Sequence, residues 1–247
     1  VPMIQWTEDE IRTDRTIERA FTIDREGQAI PGVFWQPAMT NSAMPLVLLG
    51  HGGSGHKRNS RMSMLGHLFS GTYGWSAAAI DGPVHGDRGG ITDSNDPAYQ
   101  AMWQNSDPVP GVLDDWIAIL DALSEFELID AARIGYWGVS MGTMFGLPLV
   151  AAVKRIKVAV LGKAGMTGSS ATRSGIAPTF EGYAPLVTQP VLFTMQWDDE
   201  RFGRAGQLDL FDRIGSTDKR LCAYTGKHAD NGPDSFEAQA DFLRRYL

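Results

Sequence analysis

The chain has 247 residues, 43% of them apolar, with 22 Lys and Arg against 29 Asp and Glu for a formal charge of −7, and a single cysteine. At this length folding buries roughly 70–75% of the surface of the unfolded chain, so a core forms without cross-links, and the lone Cys222 excludes a disulfide scaffold while suiting a reducing compartment. The acidic balance, without a dense basic run, argues against nucleic acid or an anionic membrane as partner, and the apolar content excludes a disordered chain.

In chain order, the N-terminal Val1-Pro2-Met3-Ile4-Gln5-Trp6 is followed by charges where a signal peptide would have an apolar core. No run approaches the roughly 20 apolar residues needed to span a bilayer, so a cytoplasmic location is expected. Residues 15–24 and 28–36, separated by Arg25-Glu26-Gly27, read as an antiparallel pair. The apolar runs 46–49 and 76–80 end in glycines and in Asp81-Gly82-Pro83, and read as strands buried on both faces of a parallel sheet. Residues 113–128 carry apolar side chains at helical spacing. Strands are expected again at 133–137, 158–161, 191–195 and 221–224, and helices at 141–153, 206–214 and 236–246. This alternation predicts one α/β domain over residues 1–247, with a mostly parallel sheet covered by helices on both faces. Two long connections, 89–111 with Tyr99, Met102 and Trp103, and 165–189, are too short for a cap domain and are expected to shape a binding site.

The strongest motif is Gly138-Val139-Ser140-Met141-Gly142, a G-x-S-x-G that follows one strand and opens a helix. A serine on so sharp a turn needs small residues two before and two after it, and the turn lifts its hydroxyl out of the sheet. A hydroxyl is a weak nucleophile, so it needs a base that is itself held by an acid. His228, in the loop after the last strand, is the candidate base, and Asp198, Asp199 or Glu200, after the strand that follows Pro190, the candidate acid. In Gly50-His51-Gly52-Gly53-Ser54-Gly55, Gly53 is the preferred N–H donor to a developing oxyanion, with Ser54 in reserve, and the N–H of Met141 supplies the second donor. Lys57, Arg58 and Arg88 are charged residues near this site, to be weighed as carboxylate ligands against a solvated role.

Two other function classes compete. Gly50-x-Gly52-x-x-Gly55, with Asp81 ending the next strand, also matches a dinucleotide loop and points to an NAD-dependent oxidoreductase. A non-catalytic ligand-binding protein on the same fold is the other. The five histidines form no metal-binding spacing and no phosphate-binding P-loop is present, so neither a metal nor a cofactor is expected.

With its His51-Gly52-Gly53 loop, its Asp81-Gly82-Pro83-Val84-His85-Gly86 segment, the Ser140 turn, the acidic Asp198-Asp199-Glu200 and the late His228, nearly the whole chain resembles the α/β-hydrolase superfamily, in its dienelactone-hydrolase-like esterase branch. The resemblance implies a mostly parallel sheet of about eight strands, no large cap, a Ser-His-Asp triad, no cofactor, and a small-molecule ester as substrate. It also implies an acid nine residues after the proline that opens its strand, which is Asp199. Where a dienelactone hydrolase has a cysteine nucleophile this chain has Ser140, which favours carboxylic esters of modest size over dienelactone.

Overall fold

The computed structural model describes residues 3–232 and 234–247; Val1 and Pro2, where the N-terminal reading begins, and Pro233 lie outside the described residues. Two short strands, β1 (Gln5–Trp6) and β2 (Ile11–Arg12), precede the long hairpin of β3 (Thr16–Arg25) and β4 (Gln28–Pro37). There follow β5 (Met44–Gly50), α1 (Ser60–Gly71), β6 (Ser76–Ile80), α2 (Pro97–Asn105), α3 (Val109–Ser124), β7 (Ile129–Gly138) and α4 (Met141–Ala152). The chain ends with β8 (Ile156–Gly162), α5 (Ser169–Ser174), α6 (Ala177–Tyr183), β9 (Val191–Gln196), α7 (Arg204–Arg213), β10 (Lys219–Tyr224) and α8 (Ser235–Leu243). All strands join one sheet in the order β1-β3-β4-β6-β5-β7-β8-β9-β10, with β2 also paired to β3. From β6 to β10 every pair is parallel; the N-terminal hairpin is antiparallel.

The described sheet has ten strands against the eight expected. The two additional ones are two residues long, too short to show the period-2 pattern by which a strand is read. The β3–β4 turn follows from Glu26 and Gly27, both at positive φ (57° and 84°), the conformation that matches a two-residue hairpin to the twist of its strands. Helix α1, which the sequence pattern does not announce, starts at the Asn59 cap, whose side chain accepts the Met62 N–H. Its pattern is masked because one buried position is Gly66, packed so tightly on Trp35 that a Cβ would lie 2.3 Å from the ring. Helix α3 stops at Ser124, short of the expected 128, because reverse turns at Phe126 and Ile129 lead straight into β7. The connections 89–111 and 165–189 contain helices α2, α5 and α6.

Alternating strand residues feed two cores. Leu46 and Leu48 of β5 meet α3 and α4 through Ile119, Leu123 and Leu147. Val47 and Leu49, one residue on in each case, face α1 and α8 through Leu65, Phe69, Ala240 and Leu243. With both faces covered, the strand ends are where the sheet is open, and in a parallel sheet a ligand site forms outside the carboxyl ends of the strands.

The junction of β5, β7 and α4 is set by close backbone approach. A Cβ on Gly142 would sit 2.4 Å from the carbonyl oxygen of Gly50, and one on Gly50 would sit 2.1 Å from the Tyr136 hydroxyl, which donates to Gly142 O at 2.6 Å. Gly142→Ala is therefore expected to force the strand and helix apart at a cost of about 1–3 kcal/mol, the usual range for overpacking. At roughly 2–4 °C per kcal/mol for a chain of this size, its Tm should fall by several degrees. An unchanged Tm in calorimetry would show that the junction yields freely.

Candidate active site

Ser140 sits at φ 59°, ψ −120°, a conformation rarely adopted by a residue with a side chain and costly unless its surroundings impose it. They do. The Ser140 N–H donates to Gly162 O of β8, and the Thr143 hydroxyl bridges Gly138 O and Gly162 O. The strained turn presents the Ser140 hydroxyl to the loop after β10, where His228 Nε2 lies 2.9 Å from Oγ. On the other side of the ring, His228 Nδ1 lies 2.8 Å from Oδ2 of Asp199.

Asp199 and Asp198 are parted by the turn at Trp197 and Asp198 that follows β9. The Asp199 side chain is 0% exposed, while that of Asp198 is 62% exposed and lies 3.5 Å from Arg204. Asp199 Oδ1 also accepts the N–H groups of Arg201 and Phe202, which fixes the carboxylate plane. Glu200 accepts the backbone N–H of His228 at 3.0 Å, and that bond holds its carboxyl below the ordinary range. Of the three acids read as candidates, one meets the imidazole ring, one the loop backbone and one solvent.

Gly53 faces this group from the β5–α1 loop, beside Ser140 and His228. His51 Nδ1 lies 2.8 Å from Gly52 O, so the trans peptide turns the Gly53 N–H to the opposite side. The His51 Nε2 accepts the Gly82 N–H, which places the ring proton on Nδ1. Neither the Gly53 N–H nor the Met141 N–H donates to an acceptor among the described residues. Ser54, the reserve donor, has its hydroxyl tied to Ser94, which in turn accepts from the Arg201 guanidinium at 2.8 Å. This chain joins three loops around the site.

The cleft at Ser140 has a volume of about 300 Å³ and is lined by the Gly52–Gly55 turn, Arg61, Lys163, Arg201 and His228 among others. A second, narrow cavity of about 20 Å³ opens from the other side of Ser140, against Tyr99, Trp103, Met144 and Phe202 and the polar Arg173 and Arg201. Met102, grouped with Tyr99 and Trp103 in the sequence, is buried in the core and lines neither cavity. A larger hollow of about 470 Å³, near Phe21, Pro31 and Lys57, contains none of the catalytic candidates.

Three cations weighed in the sequence as carboxylate ligands are spent inside the fold. Lys57 donates from both its backbone N–H and its Nζ to the fully buried Asp81, Arg58 pairs with Glu18 at 2.6 Å, and Arg88 pairs with Asp115 at 2.6 Å. The same contacts overturn the dinucleotide reading. Asp81 is sealed from any ribose by Lys57 and the Asp87 N–H, and the helix after the glycines starts only at Ser60. The residues that sequence reasoning missed are Arg61, Lys163 and Arg201. Lys163 had a signal, its place two residues after the end of the 158–161 strand; Arg61 and Arg201 had none.

No protein-family model matches the chain, and no curated protein does. Solved structures do. A cold-adapted esterase from an Arctic intertidal metagenomic library is 38% identical over 98% of this chain and 99% of its own, with a TM-score of 0.86. The chain belongs to this family of α/β-hydrolase esterases. Acetyl xylan esterases from Paenibacillus sp. R4 and Thermoanaerobacterium sp. JW/SL YS485, 18% and 16% identical, share the fold over 100% of this chain and 89% of theirs, each with a TM-score of 0.78. The esterase is thus a carboxylic ester hydrolase, which excludes the non-catalytic reading. Among the described residues no helix is long and apolar enough to cross a membrane.

His51 is buried against His85, with ring centres 4.9 Å apart, and burial, reinforced by His85, pushes its pKa down to about 4. A group that is neutral when folded but protonates near 6.5 when unfolded contributes its full stability above 6.5 and loses it as pH falls toward 4. The esterase should therefore lose stability in urea titrations between pH 6.5 and 4, with His51 accounting for a share on the order of 3 kcal/mol. His51→Gln should flatten that slope; an identical slope in the variant would assign the loss to other groups.

Proposed function

We propose that Ser140, His228 and Asp199 act as a catalytic triad and that the esterase cleaves carboxylic esters of modest size with a short acyl group. One observation carries the reading: the continuous line from Ser140 Oγ through both ring nitrogens of His228 to the buried Asp199 carboxylate, in contacts of 2.9 and 2.8 Å. In this mechanism His228 Nε2 takes the Ser140 proton as Oγ attacks the ester carbonyl, while Asp199 holds Nδ1–H and balances the charge of the imidazolium. The N–H groups of Gly53 and Met141 stabilise the oxyanion. His228 then passes the proton to the leaving alcohol, and water, activated by the same ring, hydrolyses the acyl enzyme. We read the chain as one domain of the dienelactone-hydrolase-like branch, and the lone Cys222 fits a cytoplasmic location.

The acyl preference follows from position. His228 delivers a proton to the leaving oxygen, so the alcohol lies on its side of Ser140, in the open cleft, and the acyl chain lies in the narrow cavity. About 20 Å³ of free space is on the scale of one or two water-sized groups. This suits acetyl better than longer chains.

Ser140→Ala should lower kcat by about a millionfold on p-nitrophenyl acetate without loss of fold. Asp199→Asn should cost up to roughly 10⁴-fold, because the imidazole loses its correct tautomer, whereas Asp198→Asn at an exposed position should cost little. Wild-type rates in purified Ser140→Ala, or a large loss confined to Asp198→Asn, would overturn the respective assignment.

Trp103 stacks on Phe145 at 5.1 Å and closes the narrow cavity. The ratio of kcat/KM for p-nitrophenyl hexanoate to that for the acetate should be well below one in the wild type and rise in Trp103→Ala. A ratio unmoved by a folded variant would make this ring purely structural.

A further inference from the structure

The cleft beside Ser140 is lined by Arg61, Lys163 and Arg201 and by no carboxylate, in a chain whose formal charge is −7. Two of these cations are engaged. Lys163 Nζ donates to His228 O, Asp230 O and Asn231 Oδ1, and Arg201 donates to Ser94 Oγ and lies 4.0 Å from Glu200. Arg61 makes no hydrogen bond or ion pair with any described residue. By contrast Arg25, Arg58 and Arg88, which also reach inward, each meet a buried carboxylate.

The surroundings of Arg61 disfavour an isolated cation. It occupies the first turn of α1, at the positive end of the helix dipole, and that turn contains no acidic residue. Burial pushes its pKa down, and burial, reinforced by the charge of Arg61, pushes that of Lys163 down to about 8. A guanidinium does not shed its proton to relieve such a cost. What relieves it is an anion in the cleft, and the planar fork of an arginine matches a carboxylate through two parallel hydrogen bonds.

We propose that Arg61 is a substrate-binding residue that holds a carboxylate on the leaving-alcohol portion of the ester, with Arg201 adding positive potential at the rim. The proposal rests on the triad reading, because it is the side of Ser140 occupied by His228 that assigns this cleft to the alcohol. The acyl side stays small, with about 20 Å³ of free space, and what limits it is size, since Arg173 and Arg201 line it too. The substrate class is therefore a short-chain, acetyl-type ester of an alcohol or phenol that bears a carboxylate, and the product leaving through the cleft is a hydroxy acid.

The test compares 4-acetoxybenzoate with its neutral isostere 4-acetoxybenzamide. Wild type should favour the anionic ester by about tenfold or more in kcat/KM, the scale of a charge-assisted hydrogen bond, although the amide has the better leaving group. Arg61→Gln should abolish that ratio, Arg61→Lys should restore part of it, and the preference should weaken as salt is raised. Equal wild-type rates, or a ratio unchanged in Arg61→Gln, would overturn the proposal. Should Arg61→Gln not fold, inhibition of the wild type by 4-hydroxybenzoate against 4-hydroxybenzamide decides: tighter binding of the acid supports the site, and equal binding overturns it. Failure of the triad reading has a different signature, namely Ser140→Ala retaining wild-type rates on the neutral amide.

Discussion

The approach of one carbonyl to one glycine governs the active end of this esterase. With no side chain on Gly142, the first turn of α4 rests directly on Gly50 O, and three things follow from that contact. The end of β5 and the start of α4 become neighbours, so the Gly52–Gly53 turn lies beside Ser140. The turn between β7 and α4 is tight, and Ser140 takes a positive φ within it. The hydroxyl is then carried clear of the sheet toward the loops after β9 and β10. Geometry at a strand end is thus inherited from packing, which is precise, instead of from loop conformation, which is not.

A second layer of control is electrostatic. Asp81, Asp115 and Glu18 are all buried and all paired, and their partners sit in the segments that flank the active-site loops. Breaking one such pair leaves an uncompensated buried charge, so these contacts resist displacement of the β5–α1 loop even though their net contribution to stability is small. They draw carboxylates into the body of an acidic protein and leave the catalytic cleft lined by cations. That separation of sign gives an acidic protein a cleft lined by cations at Ser140.

Strain is concentrated at adjacent strand ends. Ser140 after β7 and Lys163 after β8 are both at positive φ, and both are over-determined by backbone contacts: Ser140 N–H to Gly162 O, and Lys163 N–H to Thr194 O. Lys163 extends the effect to the next loop, where its Nζ gathers the His228 carbonyl with its neighbours. Ser140 and His228 are thereby referred to the same pair of strands, which keeps their separation at hydrogen-bond distance without any direct covalent or helical link between them.

Local chemistry made much of this legible in advance. Continuous apolar runs mark the central strands β5, β6, β8 and β9 because burial on both faces demands them, and G-x-S-x-G marks the Ser140 turn because only small residues fit beside it. The order serine, acid, histidine follows from successive strand ends, so Ser140 and His228 are visible as candidates from spacing alone. Other features have no local signature. The two-residue strands β1 and β2 exist only because β3 offers a free edge, and α1 hides its buried stripe behind Gly66. The fate of a charge is likewise decided by distant partners: Lys57, Arg58 and Arg88 find acids up to 50 residues away, and Arg61, three positions from Arg58, finds none. Sequence by itself determined the fold class and the kinds of residue that meet at the strand ends, since periodicity and turn sterics act within a few residues. Only the tertiary structure decided that Asp199 and not Asp198 meets His228, and which cation is left facing the cleft, because both depend on contacts that exist only once the sheet has closed around them.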